Sequence, residues 1–128
     1  MTMNTKEKVW HELQKLGLMP EDIEGHIKFT YQMLDYVYIQ DREDDDFFAM
    51  YLPNVQEVTE ENELEVLRSV NECNNSLKAA KLCVNDGQVW IGIELFLQKE
   101  ASLEDIVSRS ARAIIGALMK LEMELKGL

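Results

Sequence analysis

Positive charge is scarce in this sequence: 13 Lys and Arg stand against 24 Asp and Glu, a formal net charge of −11. Nucleic-acid affinity comes largely from neutralising phosphates, and a surface of this sign repels them. An anionic membrane face is disfavoured for the same reason. No apolar run approaches the ~20 residues that span a bilayer. The opening stretch MTMNTKEKVWHELQ has no apolar core of a secretory signal. With only two cysteines and no signal, the expected setting is a reducing cytoplasm, where a structural disulfide is unusual.

Other kinds of chemistry are missing as well. Cys73 and Cys83 lie ten residues apart with no CxxC and no neighbouring histidine, which matches no zinc spacing. A low-pKa thiol wants cations or a helix N-terminus, whereas Cys73 falls late in a helical stretch, so both cysteines read as small packing residues. The six glycines are scattered and form no phosphate loop. His11 and His26 join no Ser/His/Asp or Cys/His pattern. The run DREDDD alternates Asp41, Glu43 and Asp45 like a cation loop, but an EF-hand needs glycine sixth and glutamate twelfth, where Asp46 and Leu52 stand. It reads as a solvated hairpin turn that discourages edge aggregation. No cofactor, no metal and no catalytic set is expected.

What is present is a patterned domain of 128 residues, one unit without linker or repeat. Val9, Trp10, Leu13 and Leu16 make one stripe of a first helix from Thr5 to about Leu16, ending before Gly17 and Pro20. IKFTYQ then alternates as a half-buried strand. DYVYIQ and FFAMYL follow as two more, joined by the acidic turn and stopped at Pro53-Asn54. From Glu61 to Ala80 the spacing is helical, with Val66, Val70, Cys73, Leu77 and Ala80 on one face. KLCVN and QVWIGIELFL form a hairpin around Asp86-Gly87. Ser102, with Asp105 three residues on, opens the last helix. The order α-βββ-α-ββ-α predicts an α+β domain with an antiparallel sheet of about five strands. Asn71 and Asn74 share a helical face near the end of the second helix, where asparagine can bond backbone of the following strand; they are expected to fasten helix to hairpin.

VNECN…AKLCVNDGQVWIGIELFL resembles the V-N-x-x-N helix end, short strand and long apolar strand of the YbjN-type family, labelled candidate bacterial sensory transduction regulators. IKFTYQMLDYVYIQDREDDDFFAMYLPNV is similar to that family's three-strand meander with its acidic turn and terminal proline. The resemblance runs from about Gly25 to Leu125. It implies a fold similar to type III secretion chaperones, small and often dimeric proteins that hold partner segments. It carries over no catalytic residue; Asn71 and Asn74 match its asparagines in a structural role.

The strands carry the functional expectation. An even-length turn at Asp41–Asp46 would place Val37, Ile39, Phe48, Met50 and Leu52 on one face, and Tyr36, Tyr38, Phe47 and Tyr51 on the other. The last strand splits into Val89, Ile91, Ile93, Leu95 and Leu97 against Trp90 and Phe96. One face should take helices. The aromatic face (Tyr36, Tyr38, Phe47, Tyr51, Trp90, Phe96) marks an interface with a protein partner or a second copy, unless a helix covers each face. The expectation is a small, acidic, non-catalytic protein-binding module, chaperone- or regulator-like and homodimeric. The alternative is a small-molecule binder or enzyme with a pocket between sheet and helices.

Overall fold

In the computed structural model, which describes residues 2–127, α1 (Thr5–Lys15) opens on a capping box. The Asn4 side chain accepts from the Glu7 amide at 2.9 Å, and the Glu7 carboxylate accepts from the Asn4 amide at 3.2 Å. β1 (Glu21–Ile23), β2 (His26–Tyr31), β3 (Leu34–Tyr38) and β4 (Phe47–Glu57) follow as an antiparallel meander. α2 (Glu63–Ser76) leads to the hairpin of β5 (Lys81–Asn85) and β6 (Gln88–Phe96). α3 (Leu103–Leu125) comes last, with the Ser102 hydroxyl accepting from the Asp105 amide.

The fold is α+β, as its pattern of elements predicts, with six antiparallel strands in the order β1-β2-β3-β4-β6-β5. The strand beyond those expected is β1, a three-residue ribbon. Pro53-Asn54 does not stop β4. The strand passes through a register shift between Leu52 and Gln56, with Asn54 at φ 56°, and resumes its pairing with β6.

All three helices pack on one side of the sheet. α3 lies centrally, touching β4, β6, α1 and α2, while α1 meets β2 and α2 meets β5. Beneath them lie Ile27, Phe29, Tyr36, Tyr38, Phe48, Met50, Leu52, Val89, Ile91 and Ile93, which meet Val9 and Leu13 of α1, Val66 and Cys73 of α2, and Val107, Ile114 and Leu121 of α3.

The expected split of β3 is corrected here. Val37 pairs with Tyr51 and Tyr38 with Met50, so an odd number of residues, Ile39 to Ala49, lies between the last paired positions. A one-residue offset of register sends every side chain of a strand to the other face. Tyr36 and Tyr38 therefore sit in the core, 0% and 1% exposed, while Val37 and Ile39 turn outward. The inward tyrosines pack well: Tyr36 stacks on Phe29 with ring centres 5.1 Å apart, and Tyr38 meets Phe48 at 5.5 Å.

Candidate functional site: the helix-free face of the sheet

Directly opposed residues of an antiparallel pair share a face. The register accordingly builds the second face from Val37 of β3 and Ile39 just after it; Phe47, Ala49 and Tyr51 of β4; Trp90, Gly92, Glu94 and Phe96 of β6; and Cys83 of β5. None of these side chains packs against the core cluster, and no helix among the described residues lies over them. The arrangement with one helix on each face is not the one adopted.

The aromatic groups form two pairs. Tyr51 and Trp90 meet edge to face with ring centres 5.8 Å apart. Phe47 and Phe96 meet at 5.7 Å, and Phe96 is 74% exposed, a large unprotected ring at the end of its strand. Between the strands a hollow of about 450 Å³ opens to solvent, lined by Ile39, Tyr51, Cys83, Trp90, Gly92 and Glu94. The Tyr51 hydroxyl donates to the Glu94 carboxylate. Burial, and then the bond and charge of Glu94, raise the Tyr51 phenol well above its ordinary value, so it stays a neutral donor.

Of the expected aromatic set, Phe47, Tyr51, Trp90 and Phe96 share this face, and Tyr36 and Tyr38 do not. Sequence reasoning missed Val37 and Ile39, whose side was set by the parity of a turn, and Gly92. A glycine inside WIGIELFL is a legible signal of close approach by another group.

The thiols are separate from one another in role. Cys73 is buried under α2, and Cys83 is exposed on the open face. Burial raises the Cys73 thiol above 9.0; burial and then Glu94 raise Cys83. Both stay largely protonated at neutral pH, which disfavours nucleophilic chemistry. Among the described residues no three His, Cys, Asp or Glu side chains converge as a metal site. In the acidic turn, Asp41 Oδ1 accepts from the amides of Glu43 and Asp44, Asp44 Oδ1 from Asp46, and Asp45 Oδ1 from Thr5. These carboxylates brace their own loop and the start of α1.

Asn74 joins the end of α2 to the outer strand. Its amide donates to the Leu82 carbonyl at 2.9 Å, and its oxygen accepts from the Leu82 amide at 2.8 Å. Leu82 stands opposite Ile91 of β6, but its N–H and C=O point outward, so the Asn74 side chain takes the place that another strand would occupy. Lys81 Nζ donates to the Asn74 and Leu77 carbonyls, capping the helix end. Asn71 is exposed and takes no part in this joint.

No protein-family model matches the sequence, and no curated protein aligns with it. Solved structures do match. YbjN from E. coli, described as a candidate transcription regulator, superposes with a TM-score of 0.70 over 95% of this chain and 93% of its own, at 15% identity. The chain has the YbjN fold. An uncharacterized protein from Methanothermobacter thermautotrophicus gives the same TM-score over 96% of this chain and 97% of its own, at 14% identity. At such identities the likeness to YbjN is one of architecture, and function has to be argued from the site. No helix among the described residues is long and apolar enough to cross a membrane.

Proposed function

We propose that this chain is a non-catalytic protein-binding module, chaperone- or regulator-like, that uses the helix-free face of its sheet to hold a protein partner or a second copy of itself. One observation carries the reading: Val37, Ile39, Phe47, Tyr51, Trp90 and Phe96 form a continuous apolar strip that no part of the core covers. Aromatic strips left half-open to solvent in this way are concentrated at protein interfaces. The net charge of −11 favours protein over nucleic acid as the ligand. YbjN's description as a candidate transcription regulator favours a regulatory task, here exercised by contact with protein. Two free thiols suit a reducing cytoplasm.

Trp90→Glu tests the reading by setting a charge in the middle of the strip while leaving Ile91 and Val89 in the core. Circular dichroism should show a folded chain, and sedimentation together with capture from native lysate should show weakened self-association or partner binding. If the variant unfolds, the face belongs to the core; if every association persists unchanged, the face is no interface.

A further inference from the structure

We propose that the occupant of this face is a basic amphipathic helix of a partner protein, laid along the Tyr51–Trp90 hollow and the Phe47–Phe96 pair with its cationic end at the β3–β4 turn. The inference rests on the reading of the face as an interface and adds the chemistry of what sits there.

Charge placement is the first argument. The turn holds Asp41, Glu43, Asp44, Asp45 and Asp46 with Arg42 as its single cation. It leads directly into Phe47, and the Leu97 amide donates to the Asp46 carbonyl at 2.6 Å, which fixes Phe96 beside it. Among the described residues none of these five carboxylates is held in an ion pair; the bridges are Lys6–Asp22, Lys15–Glu12, Arg109–Asp105 and Lys120–Glu124. Glu94 adds a further carboxylate within the face. Of the lysines on this side, Lys81 has its Nζ turned to the α2 carbonyls, and Lys28 borders the strip beside Val37 with Glu21 on its other flank. A ligand with Lys or Arg next to its apolar stripe would complement this field; a second copy would bring the same sign and another −11.

Size is the second argument. The apolar side chains run from Val37 and Ile39 across Phe47–Tyr51 and Trp90–Phe96 to Cys83, so at ~4.8 Å between strands and ~3.3 Å per residue their footprint is about 15 Å by 20 Å. A standard interface buries about 800 Å² on each partner. Half a dozen apolar side chains are far fewer than the ~20–30 residues a side of such an interface, and the strip instead suits one helix of ~10 Å diameter laid across it.

The probe is an amphipathic Leu/Lys peptide of about 18 residues, ~27 Å long as a helix, compared with a Leu/Glu peptide of the same apolar pattern. In a Trp10→Phe background the tryptophan emission belongs to Trp90 and reports occupancy directly. The Leu/Lys peptide should shift it to the blue with saturation at one peptide per chain, and the Leu/Glu peptide should not. Phe96→Ser, at an exposed position, should weaken binding about thirtyfold, the threshold of an interface hot spot. Asp44→Asn with Asp46→Asn should weaken it while leaving the aromatics in place. Equal binding of both peptides, or Leu/Lys binding untouched by the face and turn variants, would overturn the proposal. Sedimentation of the peptide-free chain separates the two levels of the argument. Self-association weakened by Trp90→Glu, without peptide binding, overturns the helix and keeps the face as an interface; absence of both kinds of association overturns both.

Discussion

The ring of Tyr51 occupies the space beside Gly92, its partner across β4 and β6: a Cβ on residue 92 would come within 2.6 Å of the ring's Cε1 and closer still to Cδ1. The missing side chain on one strand thus makes room for the aromatic on the next. Gly92→Ala should displace the ring and destabilise the fold by about 1–3 kcal/mol, the usual cost of overpacking. Tyr51→Ala removes the obstacle. A double-mutant cycle measured by urea unfolding should show the Gly92→Ala cost largely vanishing in the Tyr51→Ala background; strictly additive effects would place the strain elsewhere.

Asn74→Ala should cost about 1–2 kcal/mol, because two hydrogen bonds are lost and the Leu82 amide and carbonyl have only solvent in exchange. Amide exchange at Leu82 should accelerate in the variant ahead of its neighbours. An unchanged exchange rate would mean the joint contributes nothing. With its edge uncovered, β5 should also add strands more readily, seen as concentration-dependent association on sedimentation.

The cysteines should differ in access and agree in sluggishness. Alkylation of the native chain should modify Cys83 alone, slowly at neutral pH and faster as pH climbs past 9.0, because burial and Glu94 hold its thiol protonated. Cys73 should react only after unfolding. Cys73→Ala should cost about 1–2 kcal/mol in lost packing, and Cys83→Ser less. Rapid labelling of either thiol at neutral pH would overturn this account.

Alkaline stability should follow the two core tyrosines. Burial, with a smaller push from Tyr31, raises Tyr36 from 10.0 to about 12; burial and then Asp45 and Asp41 raise Tyr38 to about 12. Between these limits the native chain keeps protons that the unfolded chain releases, so stability falls as pH rises. The contribution is complete below pH 10.0 and gone above about 12. Urea midpoints should therefore drop steeply across this range, and Tyr36→Phe with Tyr38→Phe should flatten the drop.

Much of this architecture is legible in the sequence because it depends on local rules. The Asp86-Gly87 turn takes the left-handed backbone that its dipeptide favours, φ 52° and 74°, and the helices keep their apolar stripes. The turn at Gln32-Met33 has the same handedness, φ 49° and 66°, without a glycine to announce it. β1 escaped notice because Glu21, Asp22 and Ile23 are all exposed and show no alternation. The site was only partly legible. Period 2 identifies which residues of a strand share a face but leaves open which face is inside, and that was decided across the acidic turn by whether its length is odd or even. Phe47, Tyr51, Trp90 and Phe96 belong to strands paired directly, β4 with β6, so their common side survives the error over β3.

The place of α3 has a consequence for how the chain is made. β4 and β6 form the longest ladder of the sheet, yet α2 and β5 separate them in sequence, and the helix that covers both is the last element in chain order. During synthesis α1 and the meander emerge first, with Tyr36, Tyr38 and Phe48 ready to pack and only α1, at the β2 side, to cover them. The roof arrives only when Val107, Ile114 and Leu121 leave the ribosome. Until then both faces of the nascent sheet are largely bare instead of one, and the growing chain passes through its most adhesive state before α3 joins it.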